Sequence, residues 1–234
     1  MASSPELQAS KRKARNSLSE QLILDTALGI VSVGQALSIR LVADKLRCSP
    51  MALYRHFADK QSLVLALIDR VMGVMPRNLE GESWEDRVTS WASRHLQTLQ
   101  ANAWAIPLLM ENPDPGPNVR KAGEALLREL GASEQPEERV IATFSAILAL
   151  NYGWAGFTSN ANASVSRTKS VVSLSPHVRN AQELPVTAGY WDLLSRVGTS
   201  EQHQAAVKLL LSGLLVNERC KGEFESPILR QQLP

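Results

Sequence analysis

A chain of 234 residues with 44% hydrophobic and 21% charged residues and a net charge of +2 has enough apolar content for a real core. That composition excludes wholesale disorder and collagen-like or supercharged sequences, and the length suits one large or two small domains. Two cysteines, Cys48 and Cys220, cannot make a disulfide framework or a four-thiolate metal site, so a cytoplasmic address is the default. No segment approaches ~18 uninterrupted apolar residues, and no signal-like apolar run follows the basic N-terminal stretch. The expectation is a soluble protein, neither exported nor embedded in a membrane. Charge is unevenly placed: residues 1–72 hold ten Lys or Arg against six Asp or Glu, the remaining 162 fifteen against seventeen. All five Trp lie beyond residue 80. One end suits an anionic partner, the other a large apolar interior.

Residues 1–17 are polar, aperiodic and carry Lys11, Arg12, Lys13 and Arg15. They read as a flexible basic arm, which is either simply solvated or a contact to nucleic acid. From Leu18 the pattern turns helical, with Ser19 as cap, Leu22, Ile23, Ala27, Ile30 and Val31 as the apolar face, and Gly34 as the stop. Ser38 caps a short helix through Leu46 that buries Val42, Ala43 and Leu46. After Arg47, Cys48 and Ser49, Pro50 stands at a first helical position and MALYRHF completes barely two turns. Asp59 then caps a helix from Lys60 to about Met75 with one apolar stripe, Leu63, Val64, Leu67, Ile68, Val71, Met72 and Met75. Two short helices, three residues apart and followed by a longer one, form a helix-turn-helix pattern.

Beyond MPRNLEGES the chain again reads as helix. Trp84, Val88, Trp91, His95 and Leu99 share one face; Trp104 to Met110 is a short apolar piece; Asn118 to Leu130 is amphipathic and stopped by Gly131. Val140 to Phe157 and Glu201 to Arg219 contain the most hydrophobic stretches. Between them, residues 158–187 are rich in Ser, Asn and Thr, with at most a short helix near His177, and suit a lid or mobile loop. No strand alternation, repeat or phosphate-binding glycine loop is present, so the expected fold is all-α. The expected organisation is a basic arm over 1–17, a helix-turn-helix domain over 18–75, and a ligand-binding and dimerisation domain over 76–234.

In a helix-turn-helix the second helix enters the major groove and its exposed side chains decide what it can read. Leu53 and Phe57, four apart, face the small core and leave Ser49, Met51, Ala52, Tyr54, Arg55 and His56 outside. Ser49, Tyr54 and His56 can donate to phosphate oxygens, Arg55 can pair with guanine or phosphate, and Met51 and Ala52 can touch a thymine methyl. Lys60 adds its charge to free amides at a helix start. The competing reading makes Tyr54 a core aromatic and Arg55 an ordinary surface charge.

The segment from Ile23 to Met72, with LYRHFADK ahead of a Leu-rich helix, resembles the DNA-binding domain of the TetR family of transcriptional regulators. The remainder resembles the C-terminal domain of the tetracycline-repressor branch through SWEDRV near residue 84, the GPN at 116–118 and the apolar helix ending near Phe157. The resemblance implies a homodimer that represses from a palindromic double-stranded DNA operator and is released by a small ligand. It also implies backbone and groove-edge contact by Ser38 and Arg40, base contact by Pro50, Met51 and Ala52, phosphate contact by Tyr54, His56 and Lys60, and minor-groove contact by the arm. One departure stands out. Arg47 occupies the turn position where the family usually has glycine, so it bears strain or the turn differs.

Trp91, His95, Trp104, Phe144, Leu148 and Asn151 are candidate lining for a pocket that takes a small apolar or amphipathic effector. Each can equally be core, and His95 can be a hydrogen-bonded core histidine. A tetracycline–magnesium ligand is not expected, because residues 100–135 lack histidine, and no cofactor or metal is called for. Leu150, Trp154, Phe157, Leu210, Leu211, Leu214 and Leu215 are candidates for a four-helix dimer interface, or else for core. Scattered histidines and the lack of a nucleophile elbow argue against an enzyme. A ligand-independent, architectural DNA-binding protein is the remaining alternative. In the ligand-responsive case, the helix at 84–100 is expected to shift against that at 60–75 and change the spacing of the reading heads.

Overall fold

The structure, a computed structural model, describes residues 18–112, 116–163, 186, 189–190 and 198–215, with the backbone alone at 159–163. Lys11, Arg12, Lys13, Arg15, the segment around His177 and the expected helix end at 216–219 lie outside the described residues. Among the described residues all regular structure is helical. The helices are α1 (Glu20–Ser32), α2 (Ile39–Leu46), α3 (Pro50–Leu53), α4 (Lys60–Met72), α5 (Trp84–Ala101), α6 (Ile106–Glu111), α7 (Pro117–Gly131), α8 (Glu137–Ala163) and α9 (Ser200–Leu215). A 3-10 turn, Ala103–Ala105, leads into α6.

Side-chain caps set the starts of α1, α2, α4 and α5. Ser19 and Ser38 accept hydrogen bonds from the amides of Leu22 and Leu41, at 3.2 and 3.1 Å. Asp59 and Ser62 form a reciprocal capping box at α4, and Ser83 and Asp86 form another at α5, so each pair satisfies two otherwise orphaned amides. Three boundaries differ from the sequence expectation. The helix expected over MALYRHF ends at Leu53, because the amides of His56 and Phe57 both turn back to the Leu53 carbonyl and carry Phe57 into the core. Helix α4 ends at Met72, where Gly73 caps it, although Met75 is still buried. Helix α8 continues past Phe157 to Ala163, into the stretch expected as loop.

The chain forms two compact units, residues 18–74 with 104–120, and residues 75–103 with the rest of the described chain from 121. The short apolar piece at 104–111 therefore belongs with the helix-turn-helix and not with the larger unit in which the sequence places it. In the first unit Ile23, Ala27, Ile30, Val42, Ala43, Leu53, Leu63 and Leu67 are fully buried in one cluster, and Trp104 packs against its edge. Arg70 of α4 ties back to α1 through the Asp25 carboxylate and the Gln21 carbonyl. In the second unit α5 packs on α8 and α9, which also pack on each other. Register follows from three links: Arg139 to the Gly213 carbonyl, Asn151 to His203, and Thr158 beside Gly198. Helices α8 and α9 therefore run antiparallel. Residues 137–158 are long and apolar enough to cross a membrane by length and mean hydropathy, 1.4. In this fold they are a helix packed along one side only.

Candidate DNA-binding and effector sites

Helix α2, the turn 47–49 and α3 make the reading head. Arg47 adopts φ 52°, ψ 43°, the left-handed conformation, and its amide and that of Cys48 return to carbonyls of Ala43 and Asp44. The turn thus keeps its glycine geometry with an arginine in it, which settles the alternative between strain and an altered turn in favour of strain. Leu53 is buried completely and Phe57 nearly so, while Ser49, Pro50, Met51, Tyr54, Arg55 and Lys60 are exposed and Ala52 and His56 half-exposed. Met51 is 69% exposed, a large apolar side chain with nothing among the described residues covering it. Tyr54 is 45% exposed, so it is not a core aromatic. The Ser38 hydroxyl accepts from the Leu41 amide, whereas Ser49 makes no side-chain cap and keeps its hydroxyl for another partner. Arg40 lies exposed at the start of α2.

Sequence reasoning missed the residue that fixes α4. Asp69 accepts from the Asn118 amide at 2.7 Å, the Asn118 side chain at 2.8 Å and the Val119 amide at 3.2 Å, so its carboxylate caps the N-terminus of α7. Gly116 is needed for this approach, since a Cβ there would fall 2.5 Å from the Asp69 carboxyl carbon. The GPN motif was visible in the sequence, but its partner 49 residues earlier was not.

In the second unit Trp91, His95 and Asn151 come together, with a participant the sequence did not single out, His203. Asn151 is fully buried. Its amide nitrogen donates to the Ala92 carbonyl and lies 3.0 Å from His95 Nδ1, and its oxygen is 2.6 Å from His203 Nε2. The Ala92 carbonyl can only accept, which orients the amide. His95 Nδ1 must then be an unprotonated acceptor and His203 Nε2 a donor. Burial, and secondarily the charge His203 would carry, push His95 from 6.5 down to about 4. Burial also lowers His203 and raises the Tyr152 phenol. Trp91 stacks on His95 at 4.7 Å between ring centroids and donates to the Ala122 carbonyl; Tyr152 meets the same imidazole edge-on.

The remaining candidates separate. Phe144, half-buried, lies against Gly123, and Leu148 is also half-buried. Trp104 does not join them. It sits in the first unit, packed on that core, because α5 stops at Ala101 and the 3-10 turn at 103–105 breaks its face before the indole. Of the interface candidates, Leu211 and Leu214 are 2% exposed within a single chain and point inward, so they are core. Leu150, Trp154 and Leu210 are half-buried, and Phe157 and Leu215 are exposed, together with Ile141 and Leu209, which periodicity alone did not mark. Among the described residues no group of three or more His, Cys, Asp or Glu could hold a metal ion.

Residues 34–67 match the bacterial regulatory proteins of the tetR family, and residues 75–217, more than half of the chain, match the tetracyclin repressor-like C-terminal domain. The chain belongs to the TetR family of transcriptional regulators. The first match, residues 34–67, covers α2, the turn and α3 of the helix-turn-helix. A curated relative, an HTH-type transcriptional regulator of Saccharopolyspora erythraea, is 29% identical over 112 residues, 47% of this chain and 48% of the relative. The match thus spans about half of that protein's length. Among solved structures, the regulator SCO7222, a TetR from Streptomyces coelicolor, superposes with a TM-score of 0.69 at 24% identity, covering 84% of this chain and 97% of that one. The TetR family protein ActR of Streptomyces coelicolor, solved in complex with actinorhodin, gives 0.71 at 18% identity over 85% and 97%. At these identities the likeness is one of fold.

Proposed function

We propose that this TetR family member is a ligand-responsive repressor that binds a palindromic operator as a homodimer in the cytoplasm. The observation that carries the reading is the exposed surface of α3 and its flanks: Met51, Tyr54 and Arg55 stand out from a head whose Leu53 and Phe57 are locked into the core. Pro50, Met51 and Ala52 read base edges, while Ser49, Tyr54, His56 and Lys60 hold phosphates and Ser38 and Arg40 set the approach of α2. The basic arm, Lys11 to Arg15, adds phosphate neutralisation. Exposed Ile141 and Phe157 on α8 and Leu209 and Leu215 on α9, flanked by Leu150, Trp154 and Leu210, form the face that pairs with a second copy into a four-helix interface. The effector contacts Trp91, Phe144 and Leu148 in the second unit. His95 and Asn151, already satisfied by each other and by His203, shape that site and do not donate to the ligand. A structural relative crystallised with actinorhodin supports a ligand-responsive reading.

Selection of duplexes from a random pool tests the reading. An inverted repeat with half-sites about one helical turn apart is the expected product. Tyr54→Ala should weaken binding to every selected duplex, whereas Met51→Ala should alter which bases are preferred, by about 1 kcal/mol or more per position. Enrichment of no sequence would refute the reading.

A further inference from the structure

We propose that the first unit holds a small-molecule site of its own, a cavity for a neutral, flat, largely apolar molecule bearing a hydroxyl or carbonyl, whose occupancy opposes DNA binding through Lys60. The cavity has a volume of about 700 Å³, is lined only by residues of the first unit, and shares none of them with the Trp91 and His95 cluster of the second. This is inside the range of ordinary ligand pockets, about 300–1,000 Å³. Val31, Leu37, Val64 and Leu108 supply apolar wall, and Trp104 supplies an aromatic ring.

The polar end selects the ligand. Asp59 and Lys60 both line it, one negative and one positive, side by side. Hydrogen bonds from Ser62 hold the Asp59 carboxyl below the usual carboxylate range, so it stays ionised. An anion approaching Lys60 meets Asp59, and a cation approaching Asp59 meets Lys60. A neutral molecule with an oxygen that both donates and accepts meets neither penalty. The Trp104 indole N–H is itself buried and has no hydrogen-bond partner among the described residues, so the ligand meets the ring and not the N–H.

The cavity is wired to the reading head by sequence. Gln35, Ala36 and Leu37 line it and run directly into Ser38, the cap of α2, and Lys60 is the first residue of α4. This coupling rests on the proposal that Lys60 holds a phosphate: a Lys60 engaged by the ligand is drawn from the backbone, and linkage makes the effect reciprocal.

The test uses the full chain and 2-naphthol, which is uncharged at pH 7, followed by calorimetry and saturation-transfer NMR. One site per chain is expected, with affinity reduced by about tenfold or more in Ala36→Trp and in Leu108→Trp, which each add an indole at a position lining the cavity. Thermal melts report whether each variant is folded, and Trp104→Phe supplies a third variant whose loss of indole quenching marks the same site. Anionic 2-naphthoate should bind more weakly than 2-naphthol by about tenfold, because its carboxylate gives up hydration in a largely apolar cavity with no net positive charge to replace it. Absence of 2-naphthol binding, or binding that survives both fillings, overturns the site. These measurements need no DNA, so a failure of the operator reading is seen separately in the duplex selection. With a selected duplex present, 2-naphthol affinity should fall in the parent chain, and an unchanged affinity overturns the coupling.

Discussion

Arg47 shows what one residue costs when a turn demands glycine geometry. A left-handed backbone is unfavourable for an L side chain by roughly 1–2 kcal/mol, part of which glycine loses again through its freer unfolded chain. Arg47→Gly should therefore raise unfolding stability by about 1 kcal/mol in urea titration. If duplex affinity falls at the same time, the arginine was retained for a phosphate contact. Asn151 is the opposite case, a residue whose every polar atom is used. Asn151→Ala would leave His95 Nδ1 and the His203 N–H unpaired in the interior, a loss on the order of 3 kcal/mol. The same network sets a pH dependence. His95 titrates at about 4 in the folded chain against 6.5 when free, so the unfolded chain takes the proton first as pH falls. Its contribution is complete above pH 6.5 and lost as pH descends from 6.5 towards 4. His95→Leu should flatten that part of a melting-temperature profile, and a profile as steep as the parent's would contradict the assignment.

At the scale of elements, the junction of α4 with the start of α7 is built on a close approach. Gly116→Ala would push a methyl into the Asp69 carboxylate, 2.5 Å from its carbon, and release the cap of α7. A loss of about 2–3 kcal/mol is expected by chemical denaturation, the upper part of the range for overpacking. Gly29→Ala is the matched contrast. Gly29 sits in mid-helix in α1, and a methyl added there would meet nothing within 4 Å, so the exchange should stabilise by about 0.5–1 kcal/mol. The caps, by comparison, were legible without coordinates: Ser19, Ser38 and Asp59 each announce a start by residue type and by the apolar periodicity that follows. The end of α3 was not, because four residues make too little helix for periodicity to show where Phe57 must turn inward.

For the whole molecule, the decisive quantity is the apolar surface that the described residues leave uncovered. Leu209 is 72% exposed and Ile141 52%, on neighbouring antiparallel helices. Leu209→Glu places a charge where the proposed second copy packs, and sedimentation equilibrium should show the assembly shifted to monomer. Operator affinity should fall with it, since two linked heads are required. A Leu209→Glu chain that stays dimeric would move the interface elsewhere.

The linear order of residues was enough for what is local: helix starts from caps, buried stripes from spacing, the outward face of the reading head from Leu53 and Phe57, and family from LYRHFADK. These depend on residues within a few positions of one another, where backbone geometry leaves few choices. Tertiary structure decided which stripes meet. It gave Trp104 to the first unit, turned Leu211 and Leu214 inward while leaving Leu209 out, and joined Asn151 to His203 across 52 residues of chain. Such choices follow from packing between helices, where several apolar faces compete for the same partner, and nothing within a single helix ranks them.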